Sequence, residues 1–162
     1  MAENKKTILD TDDTARKNAK AVIDTARFGA LAVVHPQTGH PHVTRISIAS
    51  LGGPVTLISD LSLHTKALRA NPNAALLLGE PEPRGDPLTY PRITLSCTAH
   101  FVTRKDADYI DLRDAYLAQN PKSKLYIDFT DFNFVRFEIL SADLNAGFGK
   151  AYHLTAANVE QT

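Results

Sequence analysis

The sequence has one cysteine, one methionine and no tryptophan in 162 residues. Cys97 alone cannot form an internal disulfide, and no Cys/His cluster has zinc-finger spacing, so a reducing compartment suits the chain. An excess of charge of either sign is also missing. Lys plus Arg and Asp plus Glu are 18 each, so no global field draws the chain to nucleic acid or to an anionic bilayer. No apolar run approaches the ~20 residues that a membrane span needs, and MAENKKTILDTDD lacks the apolar core of a secretion signal. These absences predict a cytoplasmic protein with no nucleic-acid and no membrane partner. A glycine-rich phosphate loop, a G-x-S-x-G elbow and the βαβα alternation of a dinucleotide-binding fold are absent too.

What is present is strand alternation. A chain of this length can bury roughly two thirds of its unfolded surface as one domain. The expected division is a helical segment over 1–27, a core over 28–154 and a tail over 155–162. Ala15, Ala19, Val22, Ile23 and Ala26 fall at helical spacing, with Thr11 in N-cap position. Six strands follow: Phe28 to Val34, HVTRISIAS from His42, VTLIS from Val55, AALLL from Ala74, RITLSCTAHFV from Arg92 and NFVRFEIL from Asn133. In the fifth, Ile93, Leu95, Cys97, Ala99 and Phe101 share one face, which makes Cys97 a small core residue. Two Asn-Pro pairs, at 71–72 and 120–121, stop a short helix after Ser62 and a second helix over 106–118. Residues 80–91 hold four of the nine prolines and read as an ordered loop or a mobile flap. Six strands with short connections and few helices predict a mainly β fold, a small antiparallel barrel with helices outside.

The chemistry concentrates between His42 and Leu78. Alternation along HVTRISIAS sends Ile46 and Ile48 into the core and Arg45 and Ser47 to the other side. The next strand ends in Ser59, and Ser62 then opens a helix whose free N–H groups suit an anion. Arg45, Ser59, His64 and Thr65 would converge on one phosphate there. A salt-bridged or snorkelling Arg45 on an exposed sheet face is the other reading of the same residue. Arg92 opens a strand after the Pro-rich loop, at a pocket rim or in solvent. His35, His40 and His42 crowd one turn as turn composition, and His153 stands without partners at ligand spacing, so no metal site is expected.

HPHVTRISIAS, LISDLSLHTKALRANPNAALLL, GDPLTYPRITLSCTA, YLAQNPKSKLYIDFTDFNFVRFEI and GFGKAYHL together resemble the FMN-binding split-barrel proteins related to pyridoxamine 5'-phosphate oxidase. Within them the chain most resembles the haem-utilisation branch, over roughly Phe28 to Leu154. The resemblance implies a six-stranded split barrel that forms a homodimer with FMN at the subunit interface. Arg45 would hold the phosphate and Ile46, Ser47 and Ile48 would flank the isoalloxazine. Ser59, His64, Thr65 and Lys66 would complete the phosphate end, Arg92 would contact the flavin, and Lys124 or Tyr126 would reach the partner's cofactor. The sequence departs from the oxidase pattern at His64-Thr65, which replaces a basic pair, at Ser50, which replaces a Lys, and in a tail without the oxidase's Trp and Arg. A flavin-dependent oxidoreductase, a haem-binding protein on the same dimer, and a storage or regulatory barrel without turnover all remain open.

Overall fold

The computed structural model describes residues 8–160. Its order is α1 (Asp13–Thr25), β1 (Phe28–Val34), β2 (Pro41–Ser47), β3 (Ala49–Ser50), β4 (Pro54–Ser59), α2 (Leu63–Ala70), β5 (Asn73–Leu78), β6 (Arg92–Val102), α3 (Tyr109–Gln119), β7 (Phe132–Asn145), β8 (Ala151–Thr155) and α4 (Ala156–Glu160). Short 3-10 turns at Pro87–Thr89 and Pro121–Leu125 complete it. Residues 1–7 of the expected helical segment lie outside the described residues. No helix among those described is long and apolar enough to cross a membrane.

All strands belong to one antiparallel sheet in the order β2-β1-β5-β6-β7-β4-β3, with β8 added beside β7. The two edge strands, β2 and β3, are consecutive pieces of the HVTRISIAS segment, separated only by Ile48. A strand that leaves one edge and joins the other forces the sheet to curl, which gives a split barrel. Thr56, fully buried, donates from Oγ1 to the Ser47 carbonyl at 2.7 Å and ties β4 to β2 across the split.

The six expected strands are all present, yet the hydrogen-bonded count is eight. HVTRISIAS divides in two because Ile48 turns its N–H away, to Arg27 O at 2.9 Å. The last strand, AYHLT, closes the expected core where no strand was expected, and it buries Tyr152 and Leu154 by simple alternation. Two helix starts also shift. Asp12 rather than Thr11 caps α1, accepting from Ala15 N at 2.7 Å, while Thr11 Oγ1 donates to His153 O. The second helix begins at Tyr109 instead of Asp106, because the Asp106 carboxylate folds back onto Thr103.

Two apolar clusters result. The barrel interior joins Leu31, Ile46, Ile48, Leu76, Leu95 and Phe137 to Ala15, Ala19 and Ile23 of α1 and to Ala67 and Leu68 of α2. A second cluster packs Tyr109, Leu112 and Tyr116 of α3 on Val55, Leu57 and Phe134. Both aromatic pairs there, Tyr109–Phe134 and Tyr116–Phe134, are edge-to-face at 5.7 and 5.3 Å. Cys97 sits in the first cluster, and burial pushes its thiol up to about 12, so it is no nucleophile.

Gly79 carries the chain out of β5 with φ +101°, and a Cβ there would stand 2.5 Å from the Pro91 carbonyl. Gly39, in the β1–β2 turn, has φ +71° but open space around it. Gly39→Ala should therefore cost about 1 kcal/mol, the backbone term alone, and Gly79→Ala should cost roughly 3 kcal/mol or more. Urea unfolding of the two variants checks this. Equal losses would mean that the β5–β6 crossing gives way easily.

Candidate functional site

Arg45 lies on β2 opposite Ala30 of β1, on the outer face. Its parity is the expected one, with Ile46 and Ile48 buried in the barrel. The side chain is exposed and makes no ion pair among the described residues; its guanidinium lies 5.4 Å from the centre of the Phe28 ring. The neighbouring outer-face positions are apolar or small: Val43, 62 % exposed, pairs with Ala32, and Leu77, 46 % exposed, pairs with Ala30. A cation with no carboxylate on an apolar sheet face retains all its hydrogen-bonding capacity for something else.

At the start of α2 the expected residues divide. Ser62 occupies the N-cap position without a side-chain hydrogen bond, so the first-turn N–H groups keep their capacity. Thr65 is fully buried and donates its hydroxyl to Ser59 O at 2.7 Å. Ser59 in turn donates to Asp131 Oδ2 at 2.6 Å. These two hydroxyls bind the β4–α2 turn together instead of pointing at a ligand. Lys66 is exposed. His64 is half-buried, and burial first, then the nearby His42, hold it below its ordinary value of 6.5. His42 sits on β2 three residues before Arg45 and acts on His64 through charge, so α2 begins beside β2.

Arg92 is engaged elsewhere. Its Nη1 donates to the carbonyls of Leu88 at 3.0 Å and Tyr90 at 3.5 Å, while Tyr90 Oη donates to Arg84 O at 2.6 Å. The Pro-rich segment is thus an ordered loop strapped from within. Lys124 is exposed, and Tyr126 leans on Phe132 at 4.9 Å and on Ser123 Oγ at 3.1 Å.

Gln119 and Asn120 form the part of the site that sequence reasoning missed. Gln119 accepts from Ser50 N at 3.1 Å and donates to Ser50 O at 2.9 Å, and Asn120 Nδ2 donates to Ile48 O at 3.4 Å. Ser47 Oγ donates to Asn120 Oδ1 at 3.2 Å. Asn120-Pro121 carried a signal, but it read only as a helix stop.

A groove of about 860 Å³ lies between α1, the β3–β4 turn and strands β6 and β7, with Ser50 and Gln119 on its wall. Its polar side chains already have partners: Lys20 pairs with Asp24 at 2.9 Å and Arg136 with Asp108 at 2.7 Å, and His100 shares a hydrogen bond with Glu138 at 2.7 Å. Size alone favours that groove. The uncompensated charge favours the face of Arg45, and charge is what selects an anionic ligand.

A curled antiparallel sheet closed by a bent strand, with an outward Arg just before the bend and a helix opening beside it, defines the split-barrel class. Residues 15–144 match the pyridoxamine 5'-phosphate oxidase family, and the chain belongs to that family. It is 41 % identical over 103 residues to the chloroplastic non-canonical heme oxygenase HOZ of Arabidopsis thaliana, a match covering 62 % of this chain and 30 % of that protein. Two bacterial structures share the fold. One is a heme binding protein from Mycobacterium smegmatis, at TM-score 0.84 and 24 % identity over 93 % of this chain and 62 % of that one. The other is ChuZ of Campylobacter jejuni, at TM-score 0.82 and 21 % identity over 94 % and 63 %. The chain therefore spans less than a third of the plant relative and about three fifths of these two structures.

His64 gives the site a signed pH dependence. In the unfolded chain it takes up its proton near 6.5, before the folded chain does. Protons then favour unfolding, so this contribution lowers stability as pH falls through about 6.5 and levels off below the folded value. Urea unfolding between about pH 7 and pH 5 should show that slope, and His64→Gln should reduce it. An unchanged slope would mean that His64 is not desolvated.

Proposed function

We propose that this chain binds FMN on the outer face of β2, as a homodimer, and works as a flavin-dependent oxidoreductase in the cytoplasm. The observation that carries this reading is Arg45, an exposed cation with no carboxylate partner among the described residues, on a face of Val43, Ala30, Ala32 and Leu77. The residues fit the phosphate through Arg45, Lys66 and the uncapped first turn of α2. They do not fit it through Thr65 or Ser59, whose hydroxyl protons go to Ser59 O and Asp131. Ile46 and Ile48 turn their side chains inward, so only their backbone and Ser47 would face the ring. Arg92 commits one nitrogen to its loop and keeps further donors of the five in its guanidinium. FMN, when bound, supplies the electron chemistry, and this chain supplies position and charge.

The dimer belongs to the same reading. One protomer's sheet face leaves a flavin ring open on one side, whereas ligand sites bury most of a ligand's surface. Val43, Leu77 and Val34 are exposed on that face and would be covered by a second copy.

A specific observation favours haem as a second reading. The plant relative at 41 % identity is named a heme oxygenase, and the half-buried His64 is held toward its neutral form, the form that ligates iron.

Titration separates the two. FMN should bind wild type, and Arg45→Ala should weaken it about ten- to a hundredfold, the loss of one charge-assisted contact of roughly 1.5 to 3 kcal/mol. Riboflavin should bind poorly, and equally poorly to both proteins. Sedimentation should give twice the chain mass, and Val43→Glu should give monomers. If haemin produces a Soret band while FMN leaves wild type unchanged, the haem reading replaces this one. Equal weakening of both flavins by Arg45→Ala would make Arg45 structural.

A further inference from the structure

Tyr116 is fully buried, and its Oη has no hydrogen-bond partner among the described residues. Leaving a buried phenol unpaired costs about 1 to 3 kcal/mol, and native proteins keep few such groups. Its surroundings are nonetheless polar. The Ser47 hydroxyl, the Ser123 hydroxyl and the Leu57 backbone all bear on Oη, and Tyr126 is close enough to act on it through charge. Burial pushes the phenol up, and the two serines and Leu57 pull it part of the way back. None of these groups stands in direct hydrogen-bond geometry to Oη.

The neighbours also have capacity to spare. Ser123, 2 % exposed, has Tyr126 Oη at 3.1 Å as its side-chain partner. Ser47 Oγ gives its proton to Asn120 Oδ1 at 3.2 Å and keeps both lone pairs. Several polar groups thus surround Tyr116 Oη without a hydrogen bond to it, and a buried water is held by two to four such groups.

We propose that one internal water is bound among Tyr116 Oη, Ser123 Oγ, Ser47 Oγ and the Leu57 backbone. The site lies where the end of α3 meets the bend between β2 and β3. Asn120 holds Ser47 directly, and Tyr116 holds it through the water. The last turn of α3 and the 3-10 turn after it are thereby joined to the strand that carries Arg45. Neither FMN nor haem enters the argument, so the site stands or falls apart from the proposed function.

A high-resolution crystal structure of the full chain tests it. The expected result is a solvent peak within about 3.2 Å of Tyr116 Oη and of at least two of the other three groups. A direct bond from Oη to Ser47 or Ser123, with no peak between them, overturns the proposal. In solution, water-oxygen relaxation dispersion should report a long-lived internal water in wild type that Tyr116→Phe loses. Ser123→Ala removes a different partner and should lose or shorten the same signal, which keeps the test decisive if Tyr116→Phe does not fold. Persistence of the wild-type signal in the folded variants overturns it as well.

Discussion

One stretch of chain has to serve both edges of one sheet. Residues 41–50 pair with β1 through β2 and with β4 through β3, and the bend between them takes Ile48 out of both ladders and leaves its neighbours at strand ends. A buried backbone group freed this way costs about 1 to 3 kcal/mol if nothing meets it. Each one is met from outside the segment. Ile48 N goes to Arg27, the Ser47 carbonyl takes Thr56, the Ile48 carbonyl takes Asn120, and Ser50 exchanges two bonds with Gln119. The position of α3 follows from this. Its last turn must present two amide side chains to the bend, and Pro121 stops the helix immediately after the second.

The same bend decides what the outer face can do. With Ile46 and Ile48 committed to the interior, Arg45 and Ser47 face outward at the edge of a sheet surface made of alanine, valine and leucine. Two arginines show the difference in commitment. Arg69 lies 4.2 Å over Phe101 and also holds Asp60 at 2.8 Å, so its charge is already offset. Among the described residues Arg45 has only Phe28, at 5.4 Å. A cation–π contact at an exposed site is worth about 0.5 to 1 kcal/mol, less than the roughly 1.5 to 3 kcal/mol of a charge-assisted hydrogen bond. Arg45 can therefore exchange its present contact for an anion at a gain.

Most of the architecture was legible because it rests on period-two burial, which one sequence displays directly. β6 shows this best: Ile93, Leu95, Cys97 and Ala99 are buried as the alternation requires. β8 carries the same pattern in Tyr152 and Leu154, but five residues after a glycine turn are too few to tell a strand from a tail. The site was less legible, because alternation gives the face of a side chain and not its partner. Arg45 fell on the expected face. Thr65, Ser59 and Arg92 each had the right chemistry for a ligand and a nearer protein group to bond, Ser59 O, Asp131 and the 88–90 carbonyls. Gln119 and Asn120 act across about 70 positions of sequence, and no local pattern reports a contact at that range.

His64 weighs on the two ligand readings in opposite directions. Beside a phosphate it would add charge only when protonated, since a neutral imidazole offers one N–H donor and no charge. Beside an iron it would act only when neutral, because a protonated ring has no lone pair to give. Burial and His42 both favour the neutral form. For FMN the charge must then come from Arg45 and Lys66, which replace by position what His64 cannot supply by protonation. For haem the same desolvation favours the ligating form of the imidazole, and Arg45 would suit a carboxylate. The choice between the two therefore turns on whether Arg45 meets a phosphate dianion or a propionate, a difference of charge on the ligand and not of fold in the protein.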